Sequence, residues 1–206
     1  MNKLIFALTT LAAAGAAQAD IIPTLTASSP VKVGNFYEYI YTATLAADQE
    51  LQTGNYFTIY DFQGFDHFGT LGAGFSGATA LLGKTPSQVI PVDDPMVLNA
   101  TFTYNGPTLN EPNNGGQGVS TELGSFTIFS KFNGLGLISF ASEAVKNNGF
   151  AKGTVIDNVG STAGPLQGSG SGSTVPEPDS WALLVTGIGF VGLAARRRRL
   201  NRSLAS

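Results

Sequence analysis

The chain contains no cysteine. That excludes a disulfide framework and thiolate chemistry together, so a domain built from it must rely on its core alone. There is one histidine, His67, and one tryptophan, Trp181. A multi-histidine zinc site is ruled out, and no Gly-x-Ser-x-Gly elbow or second histidine is present to complete a nucleophilic triad. Charged residues make up only 12% of the chain, and no arginine occurs before Arg196. Between Asp20 and Ser180 five lysines face all fourteen acidic residues, a net of about −9. An acidic body without a basic patch lacks the phosphate-neutralising side chains that nucleic-acid binding requires, so no nucleic-acid partner is expected.

What the chain has in quantity is glycine, phenylalanine, tyrosine, threonine and serine, a β-rich and turn-rich composition. Its 206 residues leave room for one ordinary domain once both ends are set aside. Period-two alternation predicts strands over 35–45, 56–62, 96–104, 122–132 and 135–145, with further candidates at 69–82, 89–92 and 150–159. Tyr37, Tyr39, Tyr41, Ala43 and Leu45 share one face of the first. In the third, Leu98, Ala100, Phe102 and Tyr104 are expected inward, with Val97, Asn99, Thr101 and Thr103 outward. Asn133-Gly134 and Asn147-Asn148-Gly149 suit hairpin turns, because Asn and Gly tolerate positive φ. No stretch of the body holds helical apolar spacing for more than about two turns. The expectation is an all-β, antiparallel β-sandwich of about eight strands over 20–160, with a closed barrel as the alternative.

Both ends read as addresses. Met1-Asn2-Lys3, the apolar Ala-rich run to Ala17 and the small-x-small site Ala17-Gln18-Ala19 form a signal peptide over 1–19, with the mature chain starting at Asp20. From 161 to 174 the composition turns Gly/Ser-rich, which predicts a flexible tether. The sequence Val175-Pro176-Glu177-Pro178 follows, held extended by its two prolines.

An apolar run, Trp181 to Ala195, comes next. It carries Leu183, Leu184, Val185, Ile188, Phe190, Val191 and Leu193, and then gives way to Arg196, Arg197, Arg198 and Arg199. About 15 residues make roughly 22 Å of helix against a hydrocarbon core of ~30 Å, so the span is short. Arginines at one end can snorkel and lengthen it. The positive-inside rule puts 196–206 in the cytoplasm and the acidic body outside.

Inside the body, candidate chemistry is sparse. Asp61, Asp66 and His67 lie close in sequence and could serve acid–base work or ligate a metal, or simply be a wet turn at a strand end. Asp93-Asp94 offers too few oxygens for calcium without further ligands. Asn99-Ala100-Thr101 and Asn201-Arg202-Ser203 match the glycosylation pattern by form only. No cofactor is implied and no metal site is assigned.

The order Val175-Pro176-Glu177-Pro178-Asp179-Ser180-Trp181-Ala182-Leu183-Leu184, Gly-bearing apolar helix, Arg196 to Arg199 resembles the PEP-CTERM protein-sorting signal of Gram-negative bacteria. The likeness covers 175–199. It implies recognition by an exosortase, processing near Pro176-Glu177-Pro178, and a passage from the inner membrane to the cell envelope, surface or extracellular matrix. It also implies a setting of exopolysaccharide production and biofilm formation, with exopolysaccharide a further candidate partner. The body loosely resembles the β-sandwich cargo of such proteins, through Phe57-Thr58-Ile59-Tyr60-Asp61-Phe62 and Gly124-Ser125-Phe126-Thr127-Ile128. The leading expectation is a non-enzymatic surface or matrix protein. A carbohydrate-binding module is the second reading and a hydrolase using Asp61, Asp66 or His67 the third.

Overall fold

The computed structural model describes residues 21–110 and 120–167, which form twelve strands and no helix. In chain order these are β1 (Ile21–Leu25), β2 (Val31–Val33), β3 (Phe36–Leu45), β4 (Gln49–Leu51), β5 (Tyr56–Ile59) and β6 (Phe65–Phe68). The remainder are β7 (Phe75–Ala80), β8 (Asn99–Tyr104), β9 (Leu109–Asn110), β10 (Thr121–Ser130), β11 (Gly134–Lys146) and β12 (Val155–Leu166).

They make two antiparallel sheets, not a barrel. One runs β1-β3-β10-β6, with β2 also on β3. The other runs β7-β8-β5-β11 and is extended by β4 and β9, with β12 paired along the whole opposite edge of β11. The core lies between the two sheets. Tyr39, Tyr41, Ala43 and Leu45 of β3 are fully buried, as the alternation predicts. They meet Phe57, Ile59, Ala100, Phe102, Phe126 and Ile128. Phe57 stacks on Phe102 at 4.7 Å and meets Phe126 edge-on at 5.0 Å, the two arrangements that aromatic quadrupoles favour.

Seven of the predicted strands are present. The short segment 89–92 is not a strand, because Pro91 and its neighbours belong to an irregular stretch that crosses the outside of a sheet. Five strands escape the pattern: β1, β2, β4, β6 and β9. Each has five residues or fewer and is ordered by a longer partner; β1, for instance, pairs through its whole length with the far half of β3. Asn133-Gly134 is not a hairpin either. It carries the chain from β10 in one sheet to β11 in the other. Asn147-Asn148-Gly149 does turn β11 into β12, with Gly149 at φ 64°.

The largest correction is at the end of the domain. Composition places a tether from 161, but β12 continues to Leu166, with Thr162, Gly164 and Pro165 buried. Its glycines are seats for the neighbouring strand's large side chains. A Cβ on Gly164 would stand 2.0 Å from Ile138 Cδ1, and one on Gly160 would stand 2.7 Å from the Phe140 ring. Here glycine marks close cross-strand packing, the other meaning it carries inside a strand.

The sheets are also joined by phenols. Tyr41 donates its hydroxyl to the Ala163 carbonyl at 2.9 Å, and Tyr39 sits between the carbonyls of Phe132 (3.0 Å) and Gly134 (2.9 Å). Burial, with the Tyr37 phenol adding to it, pushes Tyr39 up to about 12, and burial holds Tyr41 well above the usual range.

Two outcomes are expected. A chain ending at Gln167 keeps its cooperative thermal transition, whereas one ending at Gly160 loses half of β12 and the acceptor for Tyr41, and with them the transition. In an alkaline titration, a phenol with a raised folded pKa stabilises fully below its unfolded value of about 10 and ceases to as pH climbs through the folded value. Tyrosinate absorbance from Tyr39 and Tyr41 should therefore appear together with loss of the β circular dichroism signal; full ionisation near pH 10 with the fold intact would contradict this.

Candidate functional site

The outer face of β5 and β8 is covered. An irregular strap, residues 81–98, lies across it and is fastened by side chains that alternation alone would send into water. Thr58 donates to the Lys84 carbonyl at 2.8 Å and Tyr60 to the same carbonyl at 2.9 Å. Lys84 returns its ammonium to the Tyr56 ring, 3.7 Å from the centroid. The backbone N–H of Gln88 donates to Asp157 Oδ2 at 3.0 Å.

Asn99, expected outward, is completely buried and is the centre of the fastening. Its Nδ2 donates to the Leu81 carbonyl at 3.1 Å and to Asp93 Oδ1 at 2.9 Å, and its Oδ1 accepts from the Asp61 N–H at 2.7 Å. An amide with both donors and its acceptor engaged is a structural group, which also accounts for the Asn-Ala-Thr pattern.

Asp61 ends the β5 segment in a left-handed conformation, φ 54°, which Asp and Asn adopt more readily than other side chains. Its Oδ1 accepts the Asp94 N–H at 2.8 Å. Burial raises the carboxyl above the usual carboxylate range; the Asp94 N–H opposes that, and the charges of Asp93 and Asp94 add to it. Asp61 and Asp94 line a cleft of about 390 Å³ with Gln63, Val92, Leu137 and Leu166. A second cleft of about 420 Å³ adjoins it, lined by Met96, Phe132 and Gln167 and sharing Gln63 and Val97 with the first.

Asp66 and His67 are elsewhere. They sit on β6 in the other sheet, where His67 Nδ1 is 2.8 Å from Asp66 Oδ2 and Lys131 Nζ is 3.9 Å from Asp66 Oδ1. The imidazole stacks on Phe129 at 4.3 Å and meets Phe36 edge-on at 5.8 Å. The three residues that are neighbours in sequence therefore do not converge: Asp61 turns to Asp94, and the Asp66–His67 pair turns to Lys131 and Phe129. Among the described residues no group of three or more His, Cys, Asp or Glu is placed to hold a metal ion.

The residues assigned to export and sorting (Ala17, Ala19 and Asp20, Val175 to Pro178, the apolar run from Trp181 and Arg196 to Arg199) lie outside the described residues. No helix among the described residues is long and apolar enough to cross a membrane. Residues 174–199 match the family model of the PEP-CTERM protein-sorting motif. The chain carries a PEP-CTERM sorting signal. No curated protein and no solved structure matches the chain. The PEP-CTERM match starts one residue before Val175 and ends at Arg199, so it takes in the Val-Pro-Glu-Pro motif, the apolar run and the basic block. Such a signal marks an exported protein processed by an exosortase.

Asp61→Asn tests the electrostatics. Asn suits the positive φ and keeps an oxygen for the Asp94 N–H. Asp61 titrates higher folded than unfolded, so its contribution is complete at acid pH and lost as pH rises through the raised value. Melting temperatures of variant and wild type should differ little in acid, with the variant the more stable near neutrality. A variant less stable at neutral pH would show that the charge is favourable where it sits.

Proposed function

We propose that the chain is a non-enzymatic surface or matrix protein, exported, held at the inner membrane by the run from Trp181 to Ala195, and released or transferred when an exosortase acts near Pro176-Glu177-Pro178. The body stands outside and the arginine tail in the cytoplasm, a placement that the charge asymmetry supports. Its final place is the cell surface or matrix, in association with exopolysaccharide and biofilm. The observation that carries this reading is the match over 174–199, where motif, apolar run and basic cluster follow in order. The non-enzymatic part is supported by Asp61, in the segment after β5, and the Asp66–His67 pair, on β6, having different partners.

The test replaces Pro176, Glu177 and Pro178 with alanine in the producing cell. Unprocessed chain should accumulate in the inner-membrane fraction, with its arginine tail still attached by mass spectrometry of the C-terminus. Unchanged processing and surface delivery would refute the sorting role.

A further inference from the structure

Gln167 lies at one end of the sandwich, where it donates its backbone N–H to Gln63 Oε1 at 2.8 Å. The two clefts meet at this point, since Gln63 lines both. Their rims carry large apolar side chains that the fold leaves in water: Val92 is 74% exposed, Met96 82% and Leu137 81%. Neither cleft is lined by lysine or arginine, and the first holds Asp61 and Asp94. Exposed apolar groups gathered beside clefts mark a contact surface, and the charge pattern makes that contact apolar rather than electrostatic.

The chain beyond Gln167 identifies the occupant. About 13 residues, 168–180, separate it from Trp181, and they are rich in Gly and Ser. Gly/Ser-rich chains of that length have an r.m.s. end-to-end distance of about 20 Å where they behave as random coils. A domain of this size is about 35–40 Å across, judged from its expected radius of gyration. With Trp181 at the membrane interface, the end bearing Gln167 is the end kept near lipid.

We infer that Val92, Met96 and Leu137 form a lipid-facing surface that rests in the headgroup–acyl boundary while the tail is anchored. This rests on the anchor reading of the run from Trp181. Apolar side chains in that zone gain burial as interfacial helices do. Because no cation takes part, the contact holds on zwitterionic lipid and survives high salt. Once the exosortase separates body from anchor, the three side chains alone must hold the surface, so release from the membrane follows processing.

The absence of cysteine allows a direct test. Single substitutions Val92→Cys, Met96→Cys, Leu137→Cys, Phe150→Cys and Ile188→Cys are labelled with an environment-sensitive fluorophore. The full chain is then placed in phosphatidylcholine nanodiscs carrying a spin-labelled quencher lipid. Phe150 is the control: it is fully exposed on the β11–β12 turn, at the opposite end of that hairpin from Gly134 and Leu166. Labels at 92, 96, 137 and 188 should shift to the blue and lose most of their emission, with or without high salt, while 150 stays water-like.

Quenching at 188 with 92, 96 and 137 in water would overturn this inference and leave the anchor standing. Label 188 in water would overturn both. Quenching at 150 in place of 96 would turn the other end to the lipid, and a blue shift at 92, 96 and 137 without quenching would assign the surface to a protein contact; either result refutes the inference. Leu135→Cys, 51% exposed on β11 and paired with Pro165, replaces any of the three that unfolds by circular dichroism.

Discussion

Two buried phenols on β3 hold this sandwich in register. A hydroxyl that leaves water without a partner loses a full hydrogen bond, so Tyr39 and Tyr41 must find acceptors across the core. They find them in the opposite sheet, at the corner from Phe132 to Gly134 and at Ala163. Apolar packing alone sets the distance between sheets but not their alignment, since it has no direction. The phenol bonds supply direction. They specify where β11 starts and oblige β12 to run on past Gly160, because the acceptor of Tyr41 lies beyond it. In a chain without cysteine, these contacts occupy the place that a cross-link between sheets takes elsewhere.

A second set of polar contacts works on the outside. Thr58, Tyr60 and Asn99 point away from the core, yet the strap over 81–98 removes them from water. The strap is irregular because Pro86, Pro91 and Pro95 supply no N–H for a ladder, so its own carbonyls become the acceptors that the sheet's outer face needs. Fastening it costs two things. Asp61 is turned to a left-handed backbone and pressed toward Asp93 and Asp94, and Val92 and Met96 are left outside. The clefts at the Gln167 end are the gap between this strap and the end of the β11–β12 hairpin. Core packing does not create them.

How much of this was legible follows from what alternation encodes. The long strands β3, β8, β10 and β11 were readable because each carries enough residues to show a period of two, and the buried face of β3 was read correctly from Tyr39 to Leu45. Gln49-Glu50-Leu51 and Phe65-Asp66-His67-Phe68 were not, since their order comes from β11 and β10 and not from their own side chains. Asn99 was placed on the right face and wrongly in solvent, because alternation says which way a side chain points and nothing about what covers it. Gly160 and Gly164 misled for a related reason: glycine reads as tether when only composition is visible, and as a seat for Phe140 and Ile138 once the partner strand is known. The sorting signal was legible in full because its recognition depends on an order of local chemical properties and needs no fold.

Because β12 runs to Leu166, fewer residues separate the body from the sorting signal than composition suggests. With a tether beginning at 161, about 14 residues would separate the body from Val175, a fully extended span near 48 Å. With Gln167 bonded to Gln63, about 7 remain, and the limit falls to about 24 Å. An exosortase acting near Pro176-Glu177-Pro178, as proposed above, would have no more than that length of chain between Val175 and Gln167. Neither cleft at the Gln167 end is lined by lysine or arginine, the first holds two carboxylates, and the chain's arginines all lie at 196–202. The end of β12 at Leu166 thus sets how many residues separate the body from the signal, although the signal is readable without it.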